Sequence, residues 1–299
     1  MDFLDKIEEW ATALEATITG YLQGLGKSLR ALERELLRLL LRDLLPRFDI
    51  DKNGRIMATV ANLSRLNLID AVMRQFVGDS AKELTAKFAG ELIEIAGKNA
   101  EYYILAGFDK AKVERIVADL RLVRAVVGLD EKGNLVQGGY LDRLSKSDEV
   151  KQAIRDYVVG SMAGGVSPSD LAKGLQSLVE GGKDGGALTK HWEHWAFDTY
   201  NQIREVQNLH VANELELEYF VYMGGIIKTS RPFCIKKNRK VFSKAEAAEW
   251  VNDPDLIDKP TKGSYKPLLE RGRYRCRHFL MWISNERAYE LRPELKKRA

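Results

Sequence analysis

The chain has 299 residues, 45% hydrophobic and 30% charged, a balance that excludes intrinsic disorder and suits about two folded domains. The 47 Lys and Arg stand against 43 Asp and Glu, and the only cysteines are Cys234 and Cys276, which excludes a disulfide-rich secreted scaffold. Nothing in the first twenty residues resembles a secretory signal, and the longest apolar run, Leu36–Leu41, is interrupted by Arg38 and far short of a bilayer span, so a cytosol-made protein with no membrane contact is expected.

Helical periodicity dominates the first half. From Ser28 to Leu45, Leu29, Leu32, Leu36, Leu40 and Leu44 recur on one face, and Pro46 ends the run. Arg30, Arg34, Arg38 and Arg42 form a stripe beside them, either a solvated face or a contact for phosphates or an acidic partner. The same period runs through Asp79–Leu105 and Asp109–Val126. Two turns, Asp49–Gly54 and Asp130–Asn134, share Asp, Lys, Asn and Gly and form a faint internal repeat. Asp49, Asp51, Asn53, Gly54 and Ile56 also match the opening of an EF-hand loop. Its twelfth position is Val60, however, which cannot supply the carboxylate that calcium needs, so a plain side-chain-stabilised turn explains the same residues.

In the second half, Ser167 caps a helix that opens on Pro168. Gly181–Gly186 reads as a flexible break before a long helix from about Leu188 to Glu214. His191 and His194 on that helix do not have the zinc-protease spacing and read as packing residues beside Trp192 and Trp195. Tyr219–Lys228 reads as a bent strand or hairpin, Lys240–Phe242 as a short strand and Ser243–Val251 as a capped helix. A loop over Asn252–Pro267, a closing strand over Arg275–Ser284 and a charged helical tail follow. The expected fold is mainly α, with a helical N-terminal half and a small α+β C-terminal module. The expected divisions are 1–155, 156–284 and a tail at 285–299.

From Thr229 to Ala299 there are 18 basic and 9 acidic residues, against 29 and 34 in the remainder. A basic end beside an acidic body suggests nucleic acid or an acidic protein surface as a neighbour, or a simply solvated tail. On a strand from Arg275, the alternation puts Cys276, His278, Leu280 and Trp282 on one face, within reach of Cys234. Three readings stay open: zinc on Cys234, Cys276 and His278; a disulfide; or two small buried thiols with a hydrogen-bonded histidine. Cys–His nucleophilic catalysis lacks an orienting acid and a Gly-rich oxyanion loop.

Thr229-Ser-Arg-Pro-Phe-Cys234, then Lys240-Val-Phe242, Glu246 and Trp250, then Gly272-x-Tyr-x-Cys276-Arg277-His278, resemble the C-terminal signature of phage head morphogenesis proteins, the minor head protein family related to the F protein of phage Mu. The likeness spans about Tyr157 to Ser284. Arg239 stands where the family has glycine, Phe279 where a small polar residue is common, and Trp282 where a proline closes the motif. The additional cysteines of other branches are missing.

The resemblance implies a non-enzymatic minor protein of a tailed-phage head or neck, acting in capsid assembly near the portal and assisting DNA ejection. It would be present in multiple copies, in contact with portal or capsid proteins and with packaged DNA. Arg231, Cys234, Trp250, Cys276, Arg277 and His278 are then its structural signature, with no catalytic residue. Lys236, Lys237, Arg239, Lys240, Arg273 and Arg275 are the expected contacts to DNA phosphates, without sequence readout. No cofactor is expected, zinc being the one alternative. The competing function is a small metal-dependent nuclease or toxin-like enzyme in the basic module.

Overall fold

The computed structural model describes residues 3–182 and 185–297, apart from the side chains of Asp79, Ser80, His194 and Lys297. The chain is mainly α-helical, with a small α+β module near its C-terminus. Helix α1 spans Phe3–Asp43, far longer than the Ser28–Leu45 segment expected from the leucine spacing. It extends because Ile7, Ala11, Leu14, Ile18 and Leu25 carry the same buried stripe backwards, which outweighs the poor helix propensity of Gly20, Gly24 and Gly26. Then come α2 (Val60–Ser64), α3 (Asn67–Phe76), a π-helical turn at Val77–Ala81, α4 (Lys82–Gly97), α5 (Asn99–Leu105), α6 (Lys110–Val117) and α7 (Arg121–Val127). Next are α8 (Tyr140–Lys146), α9 (Asp148–Ala163), α10 (Pro168–Val179, capped by Ser167 as expected) and α11 (Ala187–Glu214). Among the described residues, no helix is long and apolar enough to cross a membrane.

The chain divides into two compact units that interleave along the sequence. One comprises 1–20, 91–126 and 197–299; the other comprises 21–90 and 127–196. The boundaries fall inside α1, α4, α7 and α11, not between consecutive segments. The division expected after residue 155 lies inside α9, where nothing interrupts the helix.

In the 21–90/127–196 unit the two Asp-Gly turns are the same structure. Ile50 bridges to Ile56 and Leu129 to Leu135. The amides of Asp51 and Asp130 donate to the carbonyls of Arg55 and Asn134. Asp51 Oδ1 accepts the Arg55 amide as Asp130 Oδ1 accepts that of Asn134. Asp51 is thus engaged by its own backbone, and Asp49 pairs with Arg65 at 2.7 Å, so the calcium-like residues serve the turn. The break at Gly181–Gly186, whose Lys183 and Asp184 lie outside the described residues, is tied down at its far end. Glu33 Oε1 accepts the amides of Gly186 (3.0 Å) and Thr189 (2.7 Å) at the start of α11. A buried carboxylate from α1 therefore satisfies helix-terminal donors that the helix itself leaves open.

The other unit holds a three-stranded antiparallel sheet of order β2-β1-β3, built from β1 (Tyr219–Met223), β2 (Lys240–Ser243) and β3 (Phe279–Ile283). Between β1 and β2 lies α12 (Pro232–Lys237). After β2 come α13 (Lys244–Ala248), a 3-10 turn at Glu249–Asn252 and α14 (Pro267–Glu270), and α15 (Asn285–Leu291) follows β3. Strand β3 starts four residues later than Arg275, because Arg271, Arg273 and Arg275 all have positive φ and belong to a turn. Its outer carbonyls do not face solvent: Tyr102 Oη donates to Trp282 O at 2.6 Å and Asn208 Nδ2 to Leu280 O, which closes the edge against further pairing. The tail is not a separate element. Ala288 and Leu295 are buried in the same core, and Arg292 donates two hydrogen bonds to Glu246 and one to Val241 O.

Candidate functional site

Four short segments deliver the residues of one buried cluster. Register places Tyr222 of β1 opposite Leu280 of β3, so the chain entering β3 brings His278 alongside Gly224. A Cβ on Gly224 would lie 2.7 Å from His278 Cα, and this close approach requires glycine. The Tyr222 ring stacks on the imidazole, with centroids 5.0 Å apart and planes 22° from parallel. Cys234 sits in the first turn of α12, whose opening angle is preset by Pro232. Arg231 donates from Nη1 to Gly272 O at 2.7 Å and from Nη2 to Tyr274 O, clamping the turn that carries Gly272 and Cys276 onto the start of α12.

The two sulfurs are 3.9 Å apart, and Tyr222 Oη lies 3.4 Å from Cys234 Sγ and 3.5 Å from Cys276 Sγ. Ligand atoms of Cys234, Cys276 and His278 all fall within 4.8 Å of one another. A Cβ on Gly272 would meet Cys234 Sγ at 2.5 Å, which gives the glycine of the late motif its reason. The cysteines are 3% exposed and His278 2%, and Nε2 of His278 has no hydrogen-bond partner. The remaining signature residues surround this group. Trp250 packs edge-on against Tyr222, Phe233, Phe220 and Phe242 at 5.3–5.8 Å. Glu246 completes a capping box with Ser243. Arg277 alone points away, to Glu15 on α1 at 2.7 Å.

Arg271, also buried, stands beside the cluster, and Arg204 and Glu205 of α11 lie behind it. Arg271 Nη1 is 3.6 Å from Glu205, Arg204 donates to the same carboxylate, and the Arg204 guanidinium stacks 3.5 Å above the Phe279 ring. Burial pushes Arg204 down to about 10 despite Glu205. The Cys276 thiol lies well below its usual range: a hydrogen bond from Cys234 outweighs burial, and His278 and Arg271 add to it. Cys234 is pushed up by the same hydrogen bond and by burial, so Cys276 is the more acidic of the two sulfurs.

These positions narrow the chemistry. A nucleophilic thiolate must be reached by its substrate, and this one is enclosed. A disulfide requires the sulfurs to close from 3.9 Å to about 2.05 Å, so the two are not bonded to each other here. A hydrogen-bonded knot and a metal centre both fit the positions.

The basic residues expected on DNA are largely engaged within the protein. Lys237 is 8% exposed, pairs with Asp253 and lies 4.1 Å from the Phe233 ring centroid, so it is no phosphate contact. Lys236 pairs with Asp255, Arg239 with Glu8 and Asp5, and Arg273 with Glu270 and Asp258. Lys240 and Arg275 are exposed. His191 approaches Glu149 at 3.4 Å, and the His194 side chain lies outside the described residues.

Sequence reasoning found the two cysteines and the histidine but missed Tyr222, Arg204, Glu205 and Arg271. Tyr222 reads as one aromatic in a strand of aromatics. Arg204 and Glu205 sit in a helix whose polar residues look solvated until its surroundings are known. Comparison with protein-family models, curated proteins and solved structures finds no match for this chain.

Proposed function

We propose that the chain is a non-enzymatic minor structural protein of a tailed-phage virion, placed in the head or neck near the portal and acting in capsid assembly. The observation that carries this reading is the convergence of Arg231, Cys234, Trp250, Gly272, Cys276 and His278, drawn from separate segments, on one enclosed cluster. Residues shared with the head morphogenesis signature thus act on one another, as parts of a mounting block would. Portal or capsid proteins are the proposed partners, in several copies per particle. Contact with packaged DNA is left to exposed cations such as Lys240, Arg275 and the outward Arg34 of α1.

Mass spectrometry of purified particles, followed by imaging of the portal vertex, tests the reading. The chain is expected in mature particles at the vertex; its absence from them overturns the proposal. The nuclease alternative is answered by incubating the protein with DNA and Mg²⁺, Mn²⁺ or Zn²⁺. No cleavage is expected, and cleavage abolished by His278→Ala would establish the enzyme instead.

A further inference from the structure

We propose that Cys234, Cys276, His278 and Tyr222 form a closed tetrahedral zinc site that staples β1, α12 and the entry to β3 together. With Zn–S near 2.3 Å and Zn–O near 2.0 Å, a tetrahedral ion sets its sulfurs about 3.8 Å apart and each sulfur about 3.5 Å from an oxygen ligand. The cluster has 3.9 Å between the sulfurs, and 3.4 and 3.5 Å from them to Tyr222 Oη. Three edges of the tetrahedron therefore already have the lengths an ion would impose. The imidazole of His278 supplies the remaining corner, within 4.8 Å of both sulfurs.

One further observation points to a ligand. Nε2 of His278 is buried without a hydrogen-bond partner, an unusual state for a buried polar atom. Two thiolates, one imidazole and one oxygen donor make a borderline-soft set that suits zinc better than the hard cations. All four donors come from the chain and lie inside it, so the site is structural and keeps no open position for a substrate. On binding, the thiol protons leave to solvent and two thiolates balance the dication. The inference is independent of where the chain works: a soluble protein or a virion protein would carry the same site.

The untagged full-length chain, purified from zinc-replete cells without chelators, is expected to hold about one zinc per chain by elemental mass spectrometry, falling below about 0.1 in Cys276→Ser. Cobalt substitution should give thiolate-to-metal charge transfer with intense tetrahedral d–d bands. Tyr222→Phe keeps the ring in its aromatic setting, so it remains informative if the cysteine variant does not fold; its zinc affinity in chelator competition should fall at least about tenfold. Wild-type protein that is folded but metal-free and takes up no cobalt would overturn the site, as would a Cys234–Cys276 disulfide found by intact mass. Unchanged affinity in Tyr222→Phe would overturn the four-ligand assignment.

Discussion

Arg239 occupies a backbone conformation that argues for another residue. Its φ is +61, in the left-handed region where a Cβ is crowded, and the head morphogenesis pattern has glycine at this position. Arg239→Gly and Arg239→Ala both lose the pairs to Glu8 and Asp5, and only glycine relieves the backbone. The glycine variant is therefore expected to be more stable than the alanine variant by about 1 kcal/mol in urea unfolding, and equal midpoints would refute the strain argument. At Gly272 the sign reverses. A methyl group there would press on Cys234 Sγ at 2.5 Å and Cys276 Sγ at 3.2 Å, so Gly272→Ala should destabilise by about 1–3 kcal/mol through overpacking, visible as a lower Tm. Glu33→Ala leaves the buried amides of Gly186 and Thr189 without their acceptor, and a loss of about 1–3 kcal/mol is expected from chemical denaturation.

Elements in this chain are fastened to one another by side chains at their ends, and α13 and α15 are an example. Glu246 closes the capping box of α13 and receives a fork from Arg292 at the end of α15. Burial pushes the Glu246 carboxyl up, but hydrogen bonds from Arg292 and the Ser243 amide outweigh it and hold it below the usual range. A carboxylate with a depressed folded-state pKa stabilises the fold above its unfolded value, about 4.3, and the benefit disappears as pH falls through the folded value. Wild type should thus lose stability on acidification from pH 5 more steeply than Glu246→Gln, and parallel Tm–pH curves would count against this. Much at this scale was legible beforehand. Ser167 with Pro168, and Ser243 at the start of its capped helix, announced their helices, and the aromatic and β-branched runs marked β1 and β2. The late start of β3 was not legible, because the positive φ values fall on Arg271, Arg273 and Arg275, residues that do not signal the left-handed region. Nor was the buried Arg204–Glu205–Arg271 group, whose burial is decided by segments far away in sequence.

For the molecule as a whole, contacts between distant segments decide the units, which is why their interleaving could not be read from composition. Cutting after residue 155 leaves neither fragment with a whole unit: 1–155 lacks 197–299 of one and 156–196 of the other. Each fragment alone should show poorly dispersed NMR amide signals, and a well-folded 1–155 fragment would contradict the division. The interleaving also orders events at the ribosome. One unit has all of its segments once Ala196 has emerged, whereas Ile7 and Ala11 belong to a core whose other members include Phe220 and Trp282. The earliest greasy residues to be synthesised are thus among the last to find shelter, and a nascent chain stalled short of its final third would hold them out to any passing chaperone.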